Sequence, residues 1–351
     1  MCCLARLITS NTHYQPRQDF AFLFIMGRKV NIMLSTFQAT LSPMLVMFLC
    51  MIIGFILRKQ KLIPENSDSV ISKFENYVFV PALIFSTFST YCTIDSIKEQ
   101  YNLIIYALIA LAIALAISFT LSKAFSNNNY YTRNLYKYAL TFGNFSFMGN
   151  AIVPIILGSI DSEILYKYLL YTLPLQVAVY TWGIMILIPK GETKKNPIQN
   201  LLHPVFISIV LGVIFGLTEL TKLLPAFIVT TIDYCKACMA PMAMILTGFV
   251  IGGYSIRGLL KNKKVYVASA LRLFVIPTIL LVILKLLGAN NTAMVLTLFA
   301  FATPLGLNTV VFPAAYGGET QTGASMAMIS HTLCIITIPL MFSLLSLALN
   351  I

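Results

Sequence analysis

Long apolar runs separated by short polar breaks make up most of the sequence. Each run approaches the length of about 20 apolar residues that a helix needs to cross a bilayer. The pattern predicts ten membrane spans, numbered 1 to 10 in chain order: Leu34–Leu57, Val70–Tyr91, Leu103–Leu121, Tyr136–Leu157, Ile164–Ile188, His203–Leu220, Phe227–Ile251, Val265–Leu287, Ala293–Tyr316 and Thr322–Leu349. The alternating strands of a membrane β-barrel do not occur. We therefore predict an all-α polytopic membrane protein.

Composition and charge narrow the class further. Of the 351 residues, 58% are hydrophobic and 10% are charged, whereas a soluble domain carries about 25% charged residues. The net charge is +12, but the basic residues form short clusters instead of one continuous face, which argues against nucleic acid as a partner. The larger clusters follow spans 1, 3, 5 and 7. Because Lys and Arg favour the cytoplasmic side, both ends of the bundle are predicted to lie on the extracytoplasmic side of the plasma membrane.

The first 32 residues do not fit this orientation. They carry four basic side chains and would lie on the extracytoplasmic side: Arg6, Arg17, Arg28 and Lys29. Residues 1–32 are therefore interpreted as an N-terminal tail, and three explanations stay open: a disordered tail, a functional arm, or a translation start at Met26 or Met33. The rest of the chain divides into two halves of five spans each, 33–190 and 191–351.

The two halves repeat at an offset of about 159 residues. The segment Gly143–Pro154 in span 4 resembles Ala302–Pro313 in span 9, so that Asn150 corresponds to Asn308. Further matched pairs are Pro154 with Pro313, Gly158 with Gly317, Val80–Leu83 with Ala240–Ala243, and Gly54 with Gly212. Because each half holds an odd number of spans, the second half starts on the opposite side of the membrane. This predicts an inverted repeat, as in many secondary transporters.

Glycine and proline interrupt spans 4 and 9. An interruption frees backbone N–H and C=O groups, which a membrane tolerates only inside protein or beside water. Two inverted copies would bring two half-helix N-termini, each with about half a positive charge, to the midplane. The predicted site for a small anion consists of Asn144, Gly149, Asn150, Pro304, Gly306 and Asn308. We expect this pocket to be neutral, with Arg272 reaching to the cytoplasmic side instead.

The remaining polar residues of the spans leave alternatives open. His331 in span 10 is a candidate proton carrier or a hydrogen-bonded packing residue. Asn76 and Tyr77 in span 2 are further candidates for the pocket. Two charge pairs are predicted at helix ends, Glu75 with Lys73 and Asp233 with Lys236, and a role of these residues as proton carriers is the alternative.

No catalytic or metal-binding set is visible in the sequence. The three histidines lie far apart, and the Cys235–Cys238 pair stands alone within span 7, where packing against a neighbouring helix explains it. We therefore expect no enzyme activity, no cofactor and no metal site.

At these segments the chain resembles the auxin efflux carrier family, which includes bacterial malate permeases. The resemblance is sharpest over Phe142–Pro154 and Thr303–Pro339. It implies a ten-helix fold similar to bile-acid/sodium symporters, with crossing helices in spans 4 and 9. It also implies a scaffold of spans 1, 2, 6 and 7 and a moving transport part of spans 3–5 and 8–10. Small organic anions are then expected to be bound by Asn144, Asn150 and Asn308. The family usually has proline where this chain has Ala151, which shifts the expected interruption of span 4.

The leading hypothesis is a carrier in the lipid bilayer that moves a small carboxylate by alternating access. Span 5 has no acidic residue beyond Glu163, which argues against a sodium/proton antiporter, and spans 4 and 9 have none for a sodium cage. Proton coupling or uniport is then left, although a symporter of the bile-acid/sodium type stays an alternative. Another alternative is a membrane sensor or scaffold without flux. Whether the protein is a monomer or a homodimer stays open.

Overall fold

The structure, a computed structural model, describes residues 16–126, 129–158, 163–189, 202–315 and 318–350. These residues are mostly helical, and none of them forms a β-sheet. The α-helices are α1 (Pro16–Lys59), α2 (Ser67–Phe74), α3 (Val80–Tyr91), α4 (Ile94–Phe125), α5 (Tyr130–Thr141), α6 (Asn150–Leu157), α7 (Glu163–Ala178), α8 (Ile184–Leu187), α9 (Pro204–Leu217), α10 (Ala226–Gly252), α11 (Ile256–Leu260), α12 (Lys263–Ala270), α13 (Ile276–Leu286), α14 (Asn291–Phe301), α15 (Asn308–Ala315) and α16 (Gln321–Leu349). The predicted all-α fold is confirmed for this part of the chain.

Wide π-helical turns interrupt several of these helices without ending them. They join α2 to α3, precede α6, join α7 to α8 and join α12 to α13: Glu75–Phe79, Phe145–Gly149, Val179–Gly183 and Leu271–Val275. Such turns frequently lie at functional sites.

Helices long and apolar enough to cross a membrane occur at six of the ten predicted spans within the described ranges. They are Lys29–Lys59, Ile94–Phe125, Glu163–Leu187, Ala226–Gly252, Lys263–Leu286 and Gln321–Leu349. Spans 4, 6 and 9 contain shorter apolar helices: Phe145–Leu157, Pro204–Leu217 and Asn291–Phe301. Spans 4 and 9 are short because each is interrupted, as the next section describes.

The first helix starts earlier than the predicted span. Helix α1 begins at Pro16, inside the segment 1–32, and has 44 residues. At a rise of 1.5 Å per residue it is about 66 Å long, about twice the thickness of a hydrocarbon core. Residues 1–15 lie outside the described part of the chain, as do the predicted boundary at 190 and 191 and the positions 316 and 317.

Two close helix pairs depend on glycine. Helix α1 packs along α10, and α9 packs along α3. A Cβ atom at Gly54 would collide with the backbone carbonyl of Ile245, and one at Gly212 would lie 2.7 Å from the Cβ of Phe88. Small residues at these positions let the helix backbones approach closely, which is how membrane helices gain packing energy.

Of the two charge pairs predicted at helix ends, one forms. The Nζ atom of Lys236 lies 2.9 Å from Oδ1 of Asp233, which confirms that pair. The carboxyl of Glu75 is fully buried, whereas Lys73 is exposed, so the predicted Glu75–Lys73 pair is wrong. Residues two positions apart on a helix do not face each other, which is why proximity in sequence does not pair them.

Helix α7 is tied to both interrupted spans by tyrosine hydroxyls. Tyr168 donates a hydrogen bond of 2.9 Å to the carbonyl of Phe145, in the second part of span 4. Tyr171 shares a hydrogen bond of 2.8 Å with the hydroxyl of Thr297, in the first part of span 9. Both tyrosines are fully buried. These bonds fix the two interrupted spans against one common helix.

Candidate functional site

The interruptions of spans 4 and 9 lie in direct contact. Helix α5 ends at Thr141 and α14 ends at Phe301, and each is followed by a non-helical stretch. Gly143 and Leu305 pair in these stretches as an isolated antiparallel bridge. The N–H of Asn144 donates a hydrogen bond of 2.7 Å to the carbonyl of Pro304. Backbone groups freed by one interruption are therefore satisfied by the other, as buried polar groups require.

A side chain at Gly143 would force its neighbours to move. A Cβ atom here would lie 2.5 Å from both Nη2 of Arg272 and Oγ1 of Thr303. The absence of a side chain lets the backbone of span 4 pass between the arginine and span 9. This glycine therefore sets where the two spans meet.

Arg272 binds the ends of two helices. Its side chain is fully buried, in the π-helical turn before α13. The guanidinium donates hydrogen bonds to backbone carbonyls at the end of α5 and the end of α14, namely those of Leu140 (3.1 Å), Thr141 (3.0 Å), Ala300 (3.1 Å) and Thr303 (3.4 Å). The last carbonyls of a helix lack intrahelical partners and carry partial negative charge. A guanidinium, with five N–H donors in a planar fork, suits such a cluster of acceptors.

The predicted location of Arg272 at the cytoplasmic side is wrong, because its side chain is fully buried against both interruptions. The four carbonyls solvate the guanidinium inside the protein, so its side chain has no need to reach water. Among the described residues, no carboxylate forms an ion pair with it. Its positive charge is thus without a formal counter-charge behind the interruptions.

A small polar cavity lies at the interruptions. Four spans contribute to its wall: Asn76, Gly143, Asn144, Phe145, Ser146, Phe147, Gln176, Val179, Tyr180, Gly306, Leu307 and Asn308. We call it the crossing cavity. Asn144 directly precedes the π-helical turn of span 4, and Asn308 is the first residue of α15. The amide of Asn308 donates a hydrogen bond of 2.9 Å to the hydroxyl of Tyr138, which fixes its orientation.

A second small cavity adjoins the first. It is more apolar and lies between α3 and α9 on one side and spans 4 and 5 on the other: Ile84, Phe88, Ser146, Asn150, Leu169, Thr172, Leu173, Gln176 and Ile209. Ser146 and Gln176 line both cavities. Asn150 is buried here, and its Oδ1 atom has no hydrogen-bond partner in the described part of the chain.

The structure brings together three of the six predicted binding residues. Asn144, Gly306 and Asn308 line the crossing cavity, whereas Asn150 lines the second one. The other two lie outside both walls. Gly149 packs against the hydroxyl of Tyr168, and Pro304 supplies the carbonyl that accepts the bond from Asn144.

His331 is bonded to the predicted site. Its Nδ1 atom lies 2.7 Å from the carbonyl of Ala327, and its Nε2 atom lies 3.0 Å from the amide nitrogen of Asn144. Because a carbonyl only accepts, these partners assign the ring proton to Nδ1, and Asn144 then donates to Nε2. A neutral ring satisfies both bonds. The histidine thereby orients the amide of Asn144.

Gln176 and Tyr180 are cavity residues that the sequence interpretation did not select. They lie four positions apart in span 5, which places them on one face of a helix. A glutamine within an apolar run was the signal that could have identified them. Of the two candidates in span 2, Asn76 lines the crossing cavity and accepts a bond of 3.4 Å from the Tyr180 hydroxyl. Tyr77 is 60% exposed and contacts the ring of His203 instead.

Within the described residues, no group of three or more His, Cys, Asp or Glu side chains could hold a metal ion.

Comparison with known proteins identifies the family. No curated protein shows significant similarity to the chain. The model of the membrane transport protein family matches residues 39–342, which include both interrupted spans and every residue of both cavity walls. The chain therefore belongs to the membrane transport protein family, which is the auxin efflux carrier family.

Proposed function

We propose that the protein moves a small organic anion, a carboxylate, across the membrane by alternating access, and that the crossing cavity is its binding site. The observation that carries this proposal is the contact between Gly143 and Leu305 beside a cavity lined by amide side chains. An interruption at membrane depth is tolerated where it lines a substrate pathway, and paired interruptions are typical of transporter binding sites.

The electrostatics of the cavity favour an anion. Helical segments begin beside Asn144 and at Asn308, and the start of a helix carries partial positive charge and free N–H groups. Arg272 adds a full positive charge on the far side of the Gly143 backbone. A carboxylate in the cavity would balance this charge and accept hydrogen bonds from the asparagine amides. The second cavity offers room for an apolar part of the substrate.

The packing of the helices supports ten spans arranged as an inverted repeat. If spans 1 and 6 correspond, and spans 2 and 7 correspond, the pair α1 with α10 is equivalent to the pair α9 with α3. These two pairs pack extensively, and Gly54 and Gly212 lie at equivalent close contacts. Both cavities adjoin α2–α3 or α9 of the proposed scaffold and the interrupted spans of the proposed moving part. Rocking of one part against the other would open the site to each side in turn.

A ligand panel combined with a flux measurement tests the site. We expect acetate, lactate, succinate or malate to raise the unfolding temperature of the purified protein, because a ligand present at 100 times its Kd stabilises by about 2.7 kcal/mol. The same ligand is expected to move into proteoliposomes. Asn308→Ala should abolish both effects while the protein stays folded. Asn291→Ala is the matched control, because Asn291 is also the first residue of a helix but is exposed outside the cavities.

Each outcome has a distinct meaning. Wild-type flux in Asn308→Ala would refute the assignment of the site. Stabilisation of the wild-type protein without flux would indicate a sensor, the alternative function. No response to any carboxylate in the panel would refute the proposed substrate class.

A further inference from the structure

Glu75 is a buried carboxyl that the structure leaves without a partner. It opens the π-helical turn between α2 and α3 and has no exposed surface. Neither of its carboxylate oxygens has a hydrogen-bond partner in the part of the chain that the structure describes. Burying an ionised carboxylate without a donor or a counter-charge costs several kcal/mol, and such groups in membrane interiors mark ion and proton pathways.

Among the ion pairs formed by the described residues, none is seen to Glu75. The turn packs against α2, α3, α9 and α10. The ionisable side chains of these helices, with the N-cap of α9, are Asp68, Lys73, Tyr91, His203, Asp233, Tyr234, Cys235, Lys236 and Cys238. Of the basic members, Lys73 is exposed, Lys236 is bonded to Asp233 and to Ser86, and His203 packs its ring against Tyr77. Glu75 therefore belongs to no structural ion pair seen among the described residues.

The next residue links Glu75 to the crossing cavity. Asn76 lines that cavity, and its amide donates a hydrogen bond of 2.8 Å to the carbonyl of Ser72. Its Oδ1 atom accepts a bond from Tyr180, another residue of the cavity wall. The widened turn thus holds Asn76 in the cavity wall and Glu75 one residue before it, buried and outside that wall. A change of charge on Glu75 would act on whatever the cavity holds.

We propose that Glu75 is a proton-binding site that couples proton movement to transport of the carboxylate. This inference rests on the proposed function. With the cavity empty, the carboxyl holds its proton at neutral pH and exchanges it with water on the open side. A substrate carboxylate in the cavity repels an ionised Glu75, so substrate and proton each favour binding of the other. Both then cross together, and both leave on the far side, which makes the protein a proton–carboxylate symporter.

Infrared spectroscopy tests the proton site without any substrate. Purified protein in lipid is expected to show the C=O absorption of a protonated carboxyl at neutral pH, and this absorption should vanish in alkaline buffer. Glu75→Gln should lack it, and Glu75→Asp should show it at a shifted frequency. Glu99→Gln, a change at an exposed glutamate of α4, should leave it unaltered. Glu75→Asp retains the carboxyl, so it assigns the band even if the glutamine variant fails to fold. An identical spectrum in all four proteins would overturn the proton site.

A second measurement tests coupling, with malate as the probe and a pH-sensitive dye inside proteoliposomes. Malate entry through the wild-type protein should acidify the lumen and should slow as the external pH rises. Glu75→Gln should lose both the acidification and the pH response, and Glu99→Gln should retain them. His331→Gln separates the two candidate proton carriers: if it loses acidification while Glu75→Gln keeps it, the histidine is the carrier and the inference is refuted. If wild-type protein moves no malate, the proposed function fails for this probe, and the infrared spectra still decide whether Glu75 holds a proton.

Discussion

A single arginine accounts for much of how the two interruptions are held. A charged side chain in a membrane interior is costly, and Arg272 offsets that cost through hydrogen bonds to carbonyls of both α5 and α14. The same bonds also stabilise the helix ends, because the carbonyls at helix ends need donors. Lysine would supply the charge but not the planar fork that reaches several acceptors at once. Position 272 therefore depends on geometry as well as charge.

Arg272→Lys tests that dependence. We expect the variant to unfold at a lower temperature and to lose most carboxylate flux, because each buried hydrogen bond lost from the charged side chain costs about 1.5–3 kcal/mol. Thermal unfolding and proteoliposome flux measure the two effects. Arg257→Lys is the control: Arg257 is exposed on α11, and its change should stay within about 0.5 kcal/mol of wild type. Equal stability and flux in the two variants would show that charge alone suffices at position 272.

At the scale of elements, the sequence located the interrupted spans but not every break. Glycine, proline and asparagine identified spans 4 and 9, and the repeat indicated that they belong together. Pro154, however, lies inside α6, and span 4 breaks earlier, where Gly143 passes Arg272. The position of a break depends on which neighbour the backbone must pass, and that neighbour comes from another span. The roles of Arg272 and Gln176 near the cavity could not be predicted for the same reason, because they depend on contacts with other spans.

The glycines that join the scaffold helices permit a test of their equivalence. Gly54→Ala and Gly212→Ala should each lower the unfolding temperature, since a methyl group would collide with Ile245 at the first site and Phe88 at the second. Overpacking of this kind costs about 1–3 kcal/mol. Gly258→Ala is the control, because the nearest atom to its Cβ would be 3.5 Å away. Destabilisation at only one of the two sites would contradict equivalent packing in the two halves.

At the scale of the whole molecule, the cavities lie where helices of the proposed scaffold and the proposed moving part meet. The buried charge beside them is screened by salt much less than the surface charge. The net charge of +12 comes mostly from basic clusters in polar breaks between spans, where salt screens it within about 8–10 Å. Arg272 and the helix starts lie inside the protein, where screening is weak. The cavity should therefore attract anions by its own local field and not by the surface clusters.

Thiol labelling at the cavity wall separates these two sources of attraction. Ser146→Cys places a thiol where both cavities meet, and we expect a sulfonated thiol reagent to react faster there than a cationic reagent of the same size. Focusing of the field by the cavity makes a difference of about tenfold reasonable. Ser69→Cys, at an exposed position on α2, should react with the two reagents at similar rates once surface charge is screened by salt. Carboxylate ligand should slow labelling at position 146 alone. Faster reaction of the cationic reagent in the cavity would contradict an anion-binding site, because the interior field would then have the opposite sign.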